Sequence, residues 1–261
     1  MRTKIWNPDV ECMDRERLRA LQGERLRAVV KREYENVPLY RERMDEKGVK
    51  PADIRTVDDL QYLPFMEKTD LRDTFPYGLF AAPKKDIVRI QGSSGTTGKP
   101  IVSGYTQNDI DAWTEMMART LTAAGADENS IVQVCYGYGL FTGGLGAHQG
   151  AGRIGAMTVP MSSGNTQRQI MMMLELGTTH LCCTPSYALY LGETLEKMRI
   201  DRSQLKLKAG CEARDIQLSL HAPYYISLSS VEEEKRQNSI KYILESAEAA
   251  DLMGATRIVV H

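Results

Sequence analysis

The spacing of hydrophobic positions changes character along the chain. Between residues 14 and 36, Leu18, Leu21, Leu26, Val29 and Val30 recur at helical spacing among charged neighbours. That pattern predicts a surface helix, or a helix pair broken near Gly23, because glycine is a poor helix former. Residues 1–85 are expected to form a helical N-terminal cap region. From residue 86 the texture switches to short β-branched runs, DIVRI and PIVSGY, on either side of a glycine-rich segment, which predicts two strands joined as a hairpin-like element.

Beyond residue 106 strands and helices alternate. Thr106 followed by Asp109 resembles a capping box and opens a helix through about Ala124. Next come a strand in SIVQVCY (130–136), a short helix over 144–155, a strand in AMTVP, a helix in TQRQIMMMLELG, a strand in HLCCTP and a helix over 185–198. The last fifty residues repeat this grammar once. IQLSLHAP reads as a strand, Ser230 and Glu233 can box a helix with one face formed by Ile240, Ile243, Leu244, Ala247 and Ala250, Gly254 ends it, and TRIVVH is a strand. Repeated strand–helix units imply an α/β fold with a mostly parallel sheet, and the final βαβ has a histidine at the end of each strand.

Composition narrows the partners more than the fold. With 33 Lys plus Arg against 34 Asp plus Glu the formal net charge is -1, which argues against nucleic acid as a partner and leaves any charged ligand to a local site. The five cysteines, at 12, 135, 182, 183 and 211, show no metal-type spacing; Cys135, Cys182 and Cys183 sit in apolar runs and read as small core residues. No apolar run is long enough to span a bilayer and no signal segment opens the chain, so a soluble, cytoplasmic protein without a membrane partner is expected. The oligomeric state is not encoded in these patterns.

The segment QGSSGTTGKP, residues 91–100, carries the candidate chemistry. A Walker loop requires Gly five residues before the Gly-Lys pair, then Ser or Thr, then a helix. Here Ser93 holds the first place, Pro100 follows Lys99, and a strand pattern follows. What remains is a loop dense in hydroxyls and backbone N–H groups, Ser93, Ser94, Gly95, Thr96, Thr97 and Gly98 with Lys99 beside them, suited to wrapping the phosphates of ATP. A solvated Gly-Ser hairpin loop is the alternative.

SSGTTGKP resembles the phosphate-binding motif of the adenylate-forming superfamily. IWNPDVECMDRERLRALQ, YGYGLFTGGLGAHQGAGRIGAMTVPMSSGNTQRQI at 136–170 and CCTPSYALYL at 182–191 are similar to phenylacetate-CoA ligase, from about residue 5 to about 210. The resemblance implies an ATP- and aryl-acid-binding α/β part over 86–210, ATP activation of an aryl acid to an acyl-adenylate, then a thioester with coenzyme A, using ATP and Mg. On it Ser93 to Lys99 bind ATP phosphates, while Tyr136, Phe141 and Ala147 line the aryl pocket; the alternative for Tyr136 and Phe141 is plain core packing. Catalytic residues are not identified. Gly152 stands where the family leads one to expect an acidic residue, so different local packing is expected there.

From about residue 211 the chain departs from that family. CEARDIQLSLHAPYYISLSS and the following βαβ resemble endonuclease IV, a zinc enzyme with a (β/α)8 barrel. The resemblance makes His221 and His261 inherited metal ligands and Tyr224 a residue near DNA; Ser227 departs from the usual asparagine. Two histidines do not complete a zinc shell, so zinc is expected only if this fragment retains a site. The joint reading is a truncated or chimeric phenylacetate-CoA ligase-like chain, joined near 209–213, with little turnover of its own. The alternatives are an abasic-site endonuclease fragment and a noncatalytic remnant.

Overall fold

The computed structural model describes residues 5–92, 101–207, 218–221 and 255–259. They fall into two compact units. One comprises Ile5–Met116 with Tyr138–Leu145, the other Met117–Gly137 with the chain from Gly146 onward.

The first unit begins with the helices α1 (Pro8–Glu11), α2 (Arg15–Asn36), α3 (Pro38–Glu46) and α4 (Lys68–Asp73). The Asp14 side chain caps α2 by accepting from the Arg17 N–H at 2.9 Å, and Pro38 stands in the first turn of α3, where its missing N–H costs nothing. Val30, Met44 and Ile54 form the buried centre of this cap, flanked by Leu26, Tyr34, Tyr40, Val49 and Leu63. Of the two alternatives, the single helix is found: α2 runs through Gly23, which is buried. A Cβ there would lie 3.7 Å from the Arg55 carbonyl oxygen and 3.8 Å from the Thr56 Cα, ordinary contact distances, so the 55–56 backbone packs on this face of α2 without requiring a glycine. One weak helix former in a 22-residue helix does not break it.

After α4 the chain forms the antiparallel pair β1 (Ile87–Gly92) and β2 (Val102–Thr106), with Gly92 opposite Val102. This is the expected hairpin; the segment 93–100 that joins the two strands lies outside the described residues. Helix α5 (Gln107–Ala123) starts at the predicted capping box, in which the Thr106 N–H donates to Asp109 Oδ2 at 2.8 Å and the Asp109 N–H donates to Thr106 Oγ1 at 3.3 Å. Tyr105 stacks on Trp113, with ring centroids 5.6 Å apart, fixing β2 against the first turns of α5.

The second unit carries the strand–helix alternation read from the sequence: β3 (Ile131–Val134), α6 (Thr142–Arg153), β4 (Met157–Val159), α7 (Thr166–Leu176), β5 (His180–Cys182) and α8 (Pro185–Lys197). Its strands are parallel in the order β4-β3-β5, with Val132 paired to both Thr158 and His180. Val132 and Val134 are fully buried, as a central parallel strand covered on both faces requires. Ile170 and Met173 of α7 meet Leu191 and Leu195 of α8 in the main core. Gly177 ends α7 at φ 64, a left-handed position that glycine takes without strain.

A further parallel pair, β6 (Leu218–His221) and β7 (Ala255–Val259), has His221 opposite Val259. The helix predicted between these strands lies outside the described residues. The α/β class expected from the sequence is therefore observed, with a helical N-terminal region in one unit and a parallel sheet in the other.

Candidate active site

In an open parallel sheet, ligands bind beyond the C-terminal ends of the strands, where the strand order reverses. That reversal occurs at β3, since β4 lies on one side of it and β5 on the other. The segments leaving this edge are Cys135–Gly137 after β3, Pro160–Asn165 after β4 and Cys183–Thr184 after β5.

They are bound to one another. The Cys135 N–H donates to the Cys182 carbonyl at 2.9 Å and the Ser162 N–H donates to the Val134 carbonyl at 3.1 Å, so both outer loops hang on the end of the central strand. The Tyr136 hydroxyl donates to the Cys183 carbonyl at 2.7 Å, laying the ring across from β3 to β5. Burial, with smaller contributions from the neighbouring thiols, pushes the Tyr136 phenol up to about 12, so it stays a neutral donor. Next to it Gly137 leaves a gap in which a Cβ would sit 3.6 Å from Ser163 Oγ. The edge thus presents an aromatic face, a small-residue gap and a hydroxyl side by side.

Beneath the edge lies a buried polar network. Gln169, on α7, donates through Nε2 to the carbonyls of Ser162 at 2.7 Å and Gly164 at 3.3 Å. Its Oε1 accepts from Gln133 Nε2 at 2.8 Å and from Cys135 Sγ at 3.1 Å, while Thr178 Oγ1 donates to Gln133 Oε1 at 3.0 Å. Neither glutamine is exposed to solvent at all. The loop that they hold is conformationally demanding, with positive φ at Ser162 (63°), Gly164 (89°) and Asn165 (44°). Such backbone persists where surrounding bonds fix it. Burial raises the thiols of Cys135 and Cys182 to about 11 and that of Cys183 to about 12, which suits the core role read from the sequence.

Of the residues singled out in the sequence, Tyr136 is half-buried at the sheet edge and Ala147 is 2% exposed inside α6. Both belong to the second unit; Phe141, 58% exposed, belongs to the first. Ser93, Ser94, Gly95, Thr96, Thr97, Gly98 and Lys99 lie outside the described residues, as do Tyr224, Ser227 and His261. His221 is described only as the last position of β6. Gly152 is exposed on α6, and a Cβ added there would meet nothing within 4 Å. Reading the sequence alone missed Gln133, Gln169 and Ser163. The available signal was a glutamine at the centre of IVQV, a strand otherwise apolar on both faces.

Among the described residues no group of three or more His, Cys, Asp and Glu could hold a metal ion, and no helix is long and apolar enough to cross a membrane.

Comparison with known proteins gives two kinds of likeness. Phenylacetate-coenzyme A ligase of Thermus thermophilus is 48% identical over 204 residues, 78% of this chain and 46% of the relative. The same enzyme of Pseudomonas putida is 50% identical over 193 residues (74% and 44%), and that of Escherichia coli 48% over 202 residues (77% and 46%). The chain spans less than half the length of these curated relatives. Among solved structures, an open conformation of 2-hydroxyisobutyryl-CoA ligase in complex with 2-HIB-AMP and CoA matches with TM-score 0.74 at 24% identity, covering 90% of this chain and 54% of that one. A postadenylation state of that ligase matches with TM-score 0.74 at 23% identity, covering 94% and 48%. At such identities the likeness is one of fold. Separately, a family model described as a xylose isomerase-like TIM barrel matches residues 167–261, a range that takes in most of α7, then β5 and α8, as well as β6 and β7. The chain is thus similar to phenylacetate-CoA ligases over most of its length, and to a TIM-barrel family in its C-terminal part.

Proposed function

We propose that residues of about 5–210 are the nucleotide- and aryl-acid-binding part of an aryl-acid:CoA ligase, working on ATP with Mg, a small aryl acid and coenzyme A. The observation that carries this reading is the sheet edge: the Tyr136 ring held across two strands by its 2.7 Å bond to the Cys183 carbonyl, beside the Gly137 gap and Ser163. A flat apolar ring needs an aromatic wall and a place where no side chain intrudes. The edge offers both, in a chain about half identical to phenylacetate-CoA ligases over three quarters of its length.

The segment 93–99 would hold the ATP phosphates. It joins strands paired up to Gly92 and Val102; its N–H groups and hydroxyls would donate to the phosphate oxygens, and Lys99 would add the positive charge. Bound ATP would supply the leaving pyrophosphate. Tyr136, kept neutral by burial, would contribute orientation rather than a proton at neutral pH.

The matched residues correspond to 44–46% of the curated relatives, and the TIM-barrel family model matches residues 167–261. Read as a chimeric ligase, the 261-residue chain would bind better than it turns over, because transition-state stabilisation needs more groups than binding does. Titration calorimetry with ATP and with phenylacetate tests the reading. Binding of both, with ATP weakened about tenfold or more by Lys99→Ala, is the expected result. A chain that binds neither overturns it, and brisk phenylacetate-dependent pyrophosphate release overturns the low turnover.

A second reading is favoured by the TIM-barrel match at 167–261: a zinc-dependent abasic-site endonuclease fragment using His221 and His261. Stoichiometric zinc retained through dialysis and lost in His221→Ala, together with incision of an abasic duplex, would put this reading first.

A further inference from the structure

We infer that Gln91 is a positioning residue for the segment Tyr138–Phe141 of its own unit, and through it for an apolar group resting on that segment; the second clause rests on the ligase reading above. Gln91 stands next to last in β1 and is 2% exposed. Its side-chain amide finds acceptors only with Nε2 turned toward this segment. In that orientation it donates to the carbonyl of Leu140 at 2.6 Å and lies 3.1 Å and 3.2 Å from the carbonyls of Gly139 and Phe141. The Gly92 N–H adds a backbone bond to the Leu140 carbonyl at 2.8 Å. Three consecutive carbonyls therefore converge on one strand end, a turn that Gly139 permits by adopting φ 126.

With its carbonyls turned inward, the segment presents its apolar side chains outward. Leu140 and Phe141 are each 58% exposed. A loop shaped for stability alone would bury a leucine and a phenylalanine. Here buried hydrogen bonds are used instead to hold two apolar groups in water in a fixed backbone, which is what a platform for an apolar ligand requires. The donor is chemically specific. Glutamate of the same shape would point a carboxylate oxygen at three carbonyl oxygens, and methionine would fill the volume with nothing to donate.

The test uses Q91E and Q91M in the 261-residue chain, with two readouts. The first needs no ligand: the rate of chymotryptic cleavage after Phe141. The second is affinity for phenylacetate and, separately, for ATP. The proposal expects cleavage after Phe141 to rise about tenfold in both variants, and phenylacetate affinity to fall about tenfold while ATP affinity stays within about twofold. Q91M, which keeps the volume, carries the test if Q91E does not fold. Cleavage at the unaltered rate overturns the positioning role, and so does a parallel loss of both ligands, which marks general damage. If the unaltered chain binds ATP but no phenylacetate, the aryl-acid reading fails and its clause with it, and the cleavage rates alone decide whether Gln91 holds the segment.

Discussion

Each unit of the molecule holds a loop segment with a buried glutamine, but the two do it differently. In the sheet unit, Gln169 uses both ends of its amide: it donates to the Ser162 and Gly164 carbonyls and accepts from Gln133 and Cys135, and Gln133 is in turn satisfied by Thr178. In the other unit, Gln91 uses its donor end toward the carbonyls of 139–141. The first arrangement links two strands' worth of core to a helix and a loop, so loss of any member leaves several buried groups without partners. The second links one strand end to one turn. A closed network secures the fold and the loop together, whereas a donor against a carbonyl cradle secures the loop.

The largest expected contrast is in thiol reactivity. Cys135 and Cys182 are raised to about 11 and Cys183 to about 12, chiefly by burial at the closed sheet edge, while Cys12 in the other unit is exposed. At pH 8 only about one in a thousand or fewer of these three thiols, one buried and two half-buried, is thiolate, the reactive form. Alkylation with iodoacetamide followed by peptide mapping should label Cys12 at least about a hundredfold faster than these three. Because each raised value favours the thiol, labelling should accelerate as pH rises toward 11. Equal labelling of Cys183 and Cys12 at pH 8 would mean that the Tyr136–Cys183 edge opens in solution, and the contrast between a closed and an open unit would fail.

The second contrast is energetic. Gln169→Leu removes a partner from Gln133, from Cys135 and from two loop carbonyls at once. An unsatisfied buried polar group costs about 1–3 kcal/mol, so a loss of about 2–4 kcal/mol is expected, lowering the thermal midpoint by several degrees. Gln133→Leu should do nearly as much, and the double substitution much less than the sum, since the two act as one network. Gln91→Met should shift the midpoint less than Gln169→Leu while freeing its turn. Additive effects of Gln133→Leu and Gln169→Leu would show that the sheet unit's amides are independent bonds.

How much of this was legible in the sequence depends on which physical signal each feature left. Short β-branched runs such as DIVRI and SIVQVCY gave strands within a residue or two, and the Thr106–Asp109 box gave the start of α5 to the residue. The strand–helix alternation gave the parallel sheet. Gly23 left a continuous and a broken helix both open, because the packing of the 55–56 backbone on α2 is a contact between segments about thirty residues apart that no local pattern records. Tyr136 was singled out through the ligase resemblance, which implies it as a wall of the aryl pocket. The glutamines were not. Glutamine is ordinarily a surface residue, and only its place between buried valines marked Gln133, while Gln91 and Gln169 left no local mark.

The smallest expected effect probes the helical cap as a control on both glutamine sites. Asp70 lies in the first turn of α4 and is nearly buried; its carboxylate accepts from the Glu67 N–H at 2.6 Å and from the Arg43 guanidinium at 2.7 Å and 2.5 Å. The backbone bond from Glu67, and then the bond from Arg43, hold its pKa below the usual carboxylate range. A group whose pKa is depressed by folding contributes stability above its unfolded value, near 4, and loses that contribution as pH falls through the lower folded value. Asp70→Asn should therefore lower stability modestly at pH 7 and converge with the unaltered chain as pH falls through the depressed folded value. Urea midpoints followed across that range by Trp6 and Trp113 fluorescence, both tryptophans lying in this unit, would measure it. The labelling rates of Cys135, Cys182 and Cys183 should not change with Asp70→Asn at pH 8, because that substitution touches the cap alone. A rise in their labelling would show that the two units unfold as one and that local and global roles cannot be separated by these variants.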